Sequence, residues 1–386
     1  MPSRTDRSAL ADWLWTVDRY LLAGFLLLMI GGLVFSFAAS PPVAERLGLD
    51  SLHFVKRQAA FLIPAVIVLL ATSALSPRMI RRVALIVFVI SFFLMIYTLF
   101  GGMEVKGARR WVSLGAFSIQ PSEFMKPAFV ILVAFLLAEN ERRPDVPGQL
   151  FAVILFAMVA ALLVAQPDFG QTMLVLLVWC ALFFMVGLSW IWIAVLGMLG
   201  MGGMAAAYLF LPHVTGRINR FLDPGSGDTF QIDTALESFV QGGWLGRGPG
   251  EGTVKRILPD SHTDFIFAVA AEEFGIILCL FLVLVFAFVV IRGLSKAMKD
   301  HDPFSRLATS GLIVLFGIQS SINLAVNLNM MPAKGMTLPF ISYGGSSLLA
   351  VALGMGFVLG LTRRRYFTNS TNGPVVVRRV PRGQFA

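Results

Sequence analysis

Long apolar runs recur along this 386-residue chain and constrain its fold more than any other feature. Because a helix needs about 20 apolar residues to cross the hydrocarbon core of a bilayer, each run predicts a membrane-spanning helix. Only 14% of the residues are charged, where a soluble domain has about 25%. We therefore predict an all-α polytopic membrane protein with about ten transmembrane helices, at residues 19–39, 58–75, 82–100, 122–138, 149–165, 169–187, 190–211, 264–291, 307–330 and 342–361.

The positive residues orient these helices, because short cytoplasmic loops carry an excess of Lys and Arg. One set of loops and termini holds 18 of the 31 positive residues and the opposite set holds 12, with Lys126 inside a predicted helix. We place the first set, and with it both termini, in the cytoplasm. A cytoplasmic segment at 1–18 then precedes the membrane domain at 19–365, and a disordered cytoplasmic tail follows at 366–386. The opposite face carries one large extracytoplasmic loop, 212–263, before the eighth helix.

Several familiar kinds of site do not occur in the sequence. The cysteines, Cys180 and Cys279, lie in apolar runs and indicate no disulfide. The four histidines lack the spacing of a metal site, and there is no Walker loop or nucleophile elbow. The net charge of +9 suits loop orientation and anionic headgroups rather than nucleic acid, because no basic, aromatic-rich soluble domain accompanies it. We predict no metal ligands and no nucleic-acid partner.

Asp264 closes the large loop at the point where the eighth apolar run begins. We expect it in the first turn of a membrane helix capped by Ser261 or Thr263, where the helix dipole favours an ionised carboxylate. An ionised carboxylate at a membrane surface, next to His262, is a candidate general base. The alternative is an ordinary first-turn acid without a chemical role.

Charged residues also gather at the start of the fourth apolar run. Glu123 and Lys126 are three residues apart, so they share a helix face and can pair. Ionisable residues in a span are costly, and they indicate either a functional cavity or a structural ion pair between helices. The short cluster of Lys106, Arg109 and Arg110 lies on the outer face, where the positive-inside rule disfavours positive residues. Anion binding at this position would explain the exception.

Two loops on the same face are rich in glycine. Residues 241–252 indicate either a flexible segment that lines a glycan or phosphate, or a mobile connector. The last loop, 330–347, contains Lys334 and ends in Gly-Gly-Ser-Ser, a helix start that can bind an anion or permit close helix packing. Every unusual feature falls on the outer face, so we expect any chemistry to face outward.

Five motifs carry a resemblance to a known family: Lys106-Gly107-Ala108-Arg109-Arg110-Trp111, Gln120-Pro121-Ser122-Glu123, Gln166-Pro167-Asp168-Phe169-Gly170, His262-Thr263-Asp264-Phe265 and Pro332-Ala333-Lys334-Gly335-Met336-Thr337-Leu338-Pro339-Phe340-Ile341-Ser342-Tyr343-Gly344-Gly345-Ser346-Ser347. Over about residues 19–365 the chain resembles the SEDS family of shape, elongation, division and sporulation proteins. The last motif looks more like the division members than the elongation members.

The resemblance implies a peptidoglycan glycosyltransferase of the bacterial cytoplasmic (inner) membrane, active on the periplasmic face at the division septum. It implies that the substrate is lipid II, an undecaprenyl-diphosphate disaccharide-pentapeptide. It also implies a class B penicillin-binding transpeptidase, FtsI-like, and other division-complex proteins as partners. The family's essential acid matches Asp264, and its helix-start pair matches Glu123 and Lys126.

An α-linked donor and a β-1,4-linked product together require one inverting displacement. Asp264 would take the proton of the acceptor 4-hydroxyl, and positive side chains would stabilise the departing diphosphate. We expect no required cofactor, although a divalent cation, Mg²⁺ or Mn²⁺, could assist. The expected substrate-binding residues are Glu123, Lys126, Arg109, Arg110, Lys334, His262 and Arg220.

Two alternatives remain open. A lipid II flippase needs polar residues along a path through the bilayer, and the candidates are Glu272 or Glu273, Gln319 and the asparagines at 323, 327 and 329. A non-catalytic division scaffold would not need the outer-face acids, so its activity should hardly depend on Asp264.

Overall fold

The computed structural model describes residues 9–105, 108–113, 115, 117–187, 230–332 and 335–363, with scattered positions between 191 and 219. Its helices are α1 (Ala9–Thr16), α2 (Arg19–Arg46), α3 (His53–Ser73), α4 (Pro77–Gly101), α5 (Pro121–Arg142), α6 (Gly148–Ala165), α7 (Phe169–Met185), α8 (Phe230–Gly242), α9 (Ile266–Ala297), α10 (Pro303–Asn327) and α11 (Gly345–Leu361). The strands are β1 (Met103–Val105), β2 (Ala108–Ser113) and β3 (Ser118–Ile119), and a 3-10 turn covers Val254–Arg256.

The predicted polytopic helical fold is confirmed. Seven described helices are long and apolar enough to cross a membrane, and two shorter apolar helices, α7 and α11, match further predicted spans. The predicted span at 190–211 lies mostly outside the described residues. Helix α2 extends through Pro41 and Pro42 to Arg46, several residues past the predicted end at 39.

Local sequence explains how many of these helices begin. Proline occupies the first turn of α4, α5 and α10, where its missing N–H is not needed. Four helices follow a residue whose side chain accepts a first-turn N–H: Asp18, Ser76, Asp168 and Asp302. Asp18 also binds Arg292, with both oxygens 2.9 Å from guanidinium nitrogens, and Lys296 at 3.1 Å. Burial raises the pKa of Asp18, but these partners and the Leu21 amide outweigh it, so the pKa lies below its usual value.

Helices α5 and α10 form the centre of the bundle. In their most apolar windows 78% and 67% of the residues are buried, against 22–28% for α3, α4 and α6. The outer helices present apolar side chains to their surroundings, as helices in contact with lipid do. A Cβ on Gly32 would lie 2.2 Å from the Phe340 carbonyl oxygen, so α2 reaches the backbone of the loop between α10 and α11 because residue 32 has no side chain.

A small antiparallel sheet, which the helical prediction did not include, lies between α4 and α5. Strand β2 pairs with both β1 and β3. Arg109 and Arg110 are neighbours on β2, so their side chains point to opposite faces of the strand. This alternation separates two residues that the sequence analysis treated as one cluster.

The described part of the large loop folds back onto α9. Helix α9 is broken at Gly275, where φ is +81°, although the sequence predicted one continuous span. The glycine-rich stretch pairs with the break: Ile276 N–H donates to Gly243 O at 2.9 Å, and Arg247 N–H donates to Glu272 O at 2.9 Å. The glycines of 241–252 therefore permit close backbone packing.

Candidate active site

Asp264 lies in a tight turn that precedes α9. The backbone carbonyl of Asp260 accepts the N–H groups of Thr263, Asp264 and Phe265 at 3.0, 3.1 and 3.3 Å. Asp260 has φ of +51°, a left-handed conformation that Asp adopts more readily than most residues. Helix α9 begins only at Ile266, so the predicted first-turn position of Asp264 is wrong by two residues.

The predicted cap of α9 is also wrong. Phe265 occupies the cap position and makes no side-chain cap hydrogen bond. Thr263 Oγ1 donates instead to Asp260 O at 3.2 Å, and Ser261 is buried. The Ala268 amide near the helix start donates to Asn327 Oδ1 of α10 at 3.2 Å. A contact from another helix takes the place of a local cap, and local sequence cannot reveal it.

A polar stripe on α10 holds the backbone of Asp264. Gln319, Asn323 and Asn327, the α10 polar stripe, are spaced by four residues, so they line one helix face, and all three are buried. The side-chain amides of Asn323 and Asn327 donate to the carbonyl oxygen of Asp264 at 3.0 and 2.9 Å. Two buried amides therefore fix the backbone that carries the Asp264 carboxylate.

The same stripe binds Lys126 of α5. Lys126 Nζ lies 3.0 Å from both carboxylate oxygens of Glu123 and 3.1 Å from Gln319 Oε1. Glu123 also accepts a hydrogen bond from Gln171 Nε2 of α7 at 2.9 Å. The side chains of Lys126 and Glu123 are only 4% and 5% exposed. The ion pair therefore joins three helices, and Gln319 connects it to the stripe that positions Asp264.

The α10–α11 loop is fixed by the stripe as well. Asn323 Nδ2 donates to Met336 O at 2.7 Å, and Gln319 Nε2 donates to Thr337 O at 3.1 Å. Each of these side chains thus binds two partners from different segments. The stripe connects the Asp264 turn, the Lys126 pair and this loop through one helix.

The α10–α11 loop passes beside the Asp264 carboxylate. A Cβ on Gly335, whose φ is +64°, would lie 3.8 Å from Asp264 Oδ2. The neighbouring Lys334, a predicted substrate-binding residue, lies outside the described residues. Further along, Ser346 Oγ accepts the Gln120 N–H at 3.1 Å, so the Gly-Gly-Ser-Ser start of α11 packs against the start of α5.

Glu272 fixes the segment that leads to Asp264. It is fully buried, and its two carboxylate oxygens accept the N–H groups of Thr253, Val254 and Lys255 at 2.5, 2.7 and 2.9 Å. Charge-assisted bonds of this kind are about twice as strong as neutral ones. The flippase alternative used Glu272 as a path residue, but these contacts give it a structural role.

Two further side chains anchor this segment through three contacts. The buried Lys255 ammonium group binds Glu273 of α9 and donates to Ala38 O of α2 at 3.1 Å. Arg46, at the end of α2, donates to Leu258 O at 3.0 Å. The segment between the 3-10 turn and α9, which carries Asp264, is therefore held from two helices.

His262 belongs to an aromatic cluster beside Asp264. Its ring centroid lies 4.6 Å from that of Phe54 and 5.4 Å from that of Tyr343, and its carbonyl accepts the Tyr343 N–H at 3.0 Å. Burial raises the pKa of Tyr343, and its hydrogen bond with Arg57 opposes this only in part. The cluster brings the cation Arg57, which the sequence analysis did not select, to the side of the Asp264 turn.

Arg110 is occupied by the turn between α6 and α7. Its guanidinium donates to Gln166 O at 3.0 Å and to Pro167 O at 2.5 Å, and lies 3.3 Å from an Asp168 carboxylate oxygen. Burial raises the pKa of Asp168, and the nearby charge of Arg110 opposes this only in part. These contacts hold Arg110 in place as a structural clamp, which leaves its predicted substrate contact without support.

The remaining predicted cations have different surroundings. The side chain of Arg109 is 51% exposed and lies 3.5 Å from Glu104, so it stays open to water. Arg220 lies outside the described residues. No group of three or more His, Cys, Asp or Glu residues within the described part of the chain is arranged to hold a metal ion.

Glu123, Lys126, His262 and Asp264 thus belong to one connected region, through direct contacts or through the α10 polar stripe. The stripe itself was the main omission of the sequence analysis. Its four-residue spacing was visible, but its asparagines were considered only as candidates for a lipid path. The contacts described above show that they bind backbone carbonyls.

These features define a multi-pass helical membrane protein with an acidic turn and a buried ion pair anchored to one central helix. The chain belongs to the cell cycle protein family that comprises FtsW, RodA and SpoVE, whose model matches residues 18–366. The resemblance to the SEDS family is therefore confirmed.

Relatives match along most of the chain. A probable peptidoglycan glycosyltransferase FtsW of Caulobacter vibrioides is 49% identical over 364 residues, which cover 94% of this chain and 93% of the relative. Stage V sporulation protein E of Bacillus subtilis is 34% identical, with 90% and 97% covered.

Solved structures agree with this assignment. One, from work on how a peptidoglycan synthase complex coordinates polymerization and crosslinking, has a TM-score of 0.76 at 28% identity, with 90% of this chain and 97% of that chain covered. The rod shape determining protein RodA of Thermus thermophilus has a TM-score of 0.66 at 27% identity, with 90% and 96% covered.

Proposed function

We propose that this chain is a peptidoglycan glycosyltransferase that polymerises lipid II into β-1,4-linked glycan strands, with Asp264 as the general base. One observation carries the proposal: the backbone of Asp264 is held by two buried asparagines of the helix that also binds the Lys126–Glu123 pair. A general base needs a fixed position next to the proton that it removes. Relatives named as peptidoglycan glycosyltransferases support the reaction type.

The reaction is a single displacement at the anomeric carbon of the donor sugar. The 4-hydroxyl oxygen of the acceptor forms the new bond from the face opposite the diphosphate, and the bond from the anomeric carbon to the phosphate oxygen breaks. Asp264 takes the hydroxyl proton, and the lipid diphosphate leaves with the bonding electrons. Inversion converts the α-linked donor into a β-linkage. A positioned base typically contributes about 10²–10⁴-fold to such a step.

Lys126 acts in this proposal mainly as a positioning residue. Its ammonium group is buried and already binds Glu123 and Gln319, so it stabilises the helix that holds Asp264. The departing diphosphate would be neutralised by the exposed Arg109 and by Lys334 and Arg220, two cations that the sequence predicts for this role. No resident metal is required in this scheme, and Mg²⁺ or Mn²⁺ would enter bound to the diphosphate.

We further propose a role in division, at the periplasmic face of the septal membrane, together with an FtsI-like class B penicillin-binding transpeptidase and other division-complex proteins. The names of several relatives, FtsW, support division over elongation. A partner enzyme is supported by the similarity to a chain from a peptidoglycan synthase complex whose structure concerns both polymerization and crosslinking.

The proposal is tested by polymerisation of purified lipid II by the protein in complex with its cognate transpeptidase. Asp264→Asn should reduce glycan formation by about 10²–10⁴-fold, because Asn cannot take the proton. Glu251→Gln is the matched control: it removes one negative charge from an exposed position of the same large loop. We expect the control to stay within about twofold of the unchanged protein.

Equal polymerisation by both variants would remove Asp264 from catalysis. If the unchanged complex makes no glycan, the glycosyltransferase proposal fails, and a lipid II translocation assay in vesicles then tests the flippase alternative. A scaffold without activity would give neither polymer nor translocation.

A further inference from the structure

A charged cavity lies at the end of the bundle opposite Asp264. It has a volume of about 520 Å³ and opens where α4 and α10 begin and α5 ends. Its wall includes Arg78, Arg81, Arg142 and Asp302, so three positive charges face one negative charge. Cavities of roughly 300–1,000 Å³ are the usual size for small ligands. The excess of positive charge selects an anion.

The arginines of this wall differ in how they are bound. Arg142 pairs with Asp302, so one positive charge is neutralised. Among the described residues no carboxylate pairs with Arg78 or Arg81. The positive charges of Arg78 and Arg81 are therefore the uncompensated ones, and they lie three residues apart on one face of α4.

Arg81 is also oriented. Its guanidinium carbon lies 4.8 Å from the ring centroid of Phe135 and 5.2 Å from that of Phe304. Stacking engages the flat face of a guanidinium and leaves its in-plane N–H groups for an acceptor. A stacked arginine is thus a preorganised donor for the planar, two-oxygen edge of a phosphate group.

The start of α4 adds to the positive electrostatic potential of the cavity. Ser76 caps the helix through its hydroxyl, and the first turn contains no acidic residue. The first turn of α4 therefore supplies no carboxylate of its own to its positive end, whereas α10 has the carboxylate of Asp302 as its cap. The cavity thus combines two arginines that no described carboxylate binds with a helix start that has no acidic residue in its first turn.

We propose that this cavity binds the phosphate group of an anionic membrane lipid, such as phosphatidylglycerol. The arginine-rich loops place this end of the bundle at the cytoplasmic surface, where basic pockets between helices bind anionic headgroups. The site is separate from the proposed glycosyltransferase site, because it lies at the other end of α10. The lipid would act as a clamp between α4, α5 and α10.

The test is native mass spectrometry of the full chain in neutral detergent, titrated with phosphatidylglycerol, phosphatidylcholine or inorganic phosphate. The test variant is Arg78→Gln with Arg81→Gln. The control is Arg82→Gln with Arg143→Gln, which removes two charges from exposed arginines on the same face outside the cavity wall. We expect the test variant to bind phosphatidylglycerol about tenfold or more weakly, because a charge-assisted hydrogen bond is lost at each position. The control should bind it like the unchanged protein.

Thermal unfolding provides a second reading that does not depend on lipid retention in the gas phase. Phosphatidylglycerol should raise the unfolding temperature of the unchanged protein and of the control, and leave that of the test variant unchanged. Equal binding by both variants, or equal binding of phosphatidylcholine, would overturn the proposal. Arginine-dependent binding of inorganic phosphate, without any added effect of the lipid, would keep a phosphate site but overturn the lipid as its source.

Discussion

Asp264 and Glu272 are eight residues apart, and they are held in the structure by different groups. Glu272 is fully buried, and both of its oxygens accept backbone N–H groups. Asp264 is a half-buried residue that is held through its backbone carbonyl, and its carboxylate lies beside Gly335. One acid uses its charge to build the segment, and the other is placed by that segment.

In the proposed mechanism, the comparison shows how a rigid position is given to a carboxylate that must take a proton. A carboxylate that accepts three backbone amides cannot also take a proton from a substrate without breaking those bonds. Anchoring Asp264 by its main chain avoids this conflict. The difference predicts that substitutions around Asp264 change rate first, and that substitutions at Glu272 change stability first.

Among substitutions that test this comparison, we expect the largest loss of activity from changes at Asn323 and Asn327. Asn323→Ala with Asn327→Ala removes both donors to the Asp264 carbonyl, so the carboxylate is no longer held at a fixed distance from the acceptor. We expect lipid II polymerisation to fall by up to about 10²-fold, the cost of misplacing a catalytic group by roughly 1 Å. The exposed Asn329→Gly serves as the control, because its φ of +55° suits glycine. Unchanged polymerisation by the double variant would show that the α10 polar stripe does not position the base.

These asparagines also show which features of the structure could be predicted from the sequence and which could not. The apolar runs predicted the helices, because length and hydropathy decide which segments cross a membrane. The predicted pairing of Glu123 with Lys126 needed only the helical repeat. The cap of α9 and the break at Gly275 depend on groups from α10 and from the stretch around Gly243, which are far away in the sequence. Contacts of this kind follow from packing and leave no local pattern.

A smaller effect is expected at Glu272. Glu272→Gln keeps the shape but replaces one acceptor oxygen by an amide NH₂ that faces a backbone N–H group. We expect a loss of about 1–3 kcal/mol in the free energy of unfolding, the cost of a buried group left without its partner. The unfolding temperature should fall together with the polymerisation rate, whereas Asp264→Asn should lower the rate alone.

The matched control for Glu272 is Glu237→Gln on α8. Glu237 is exposed and accepts a hydrogen bond only one helical turn away, from Gln241. Its substitution should leave the unfolding temperature within the range of ordinary surface changes. If Glu272→Gln were as stable as this control, the carboxylate of Glu272 would not be what holds the 3-10 turn.

Asp168 is intermediate between Glu272 and Asp264, and its substitution should have the smallest effect of the three on the protein. It is buried like Glu272, and burial raises its pKa despite the nearby Arg110. The folded state therefore binds more protons than the unfolded state between the ordinary and the raised pKa, so the stability contributed by this group falls as the pH rises through that window. Asp168→Asn removes this dependence and keeps the cap of α7, since Asn caps helices as well as Asp.

We expect the Asp168→Asn protein to change in stability by less than about 1 kcal/mol. The free energy of unfolding of the variant, minus that of the unchanged protein, should be more positive at pH 7 than at pH 4. Thermal unfolding of both proteins at both pH values measures this difference. The opposite order would mean that the ion pair with Arg110 outweighs burial and holds the pKa below its usual range. In that case Asp168 would be a charged anchor like Glu272.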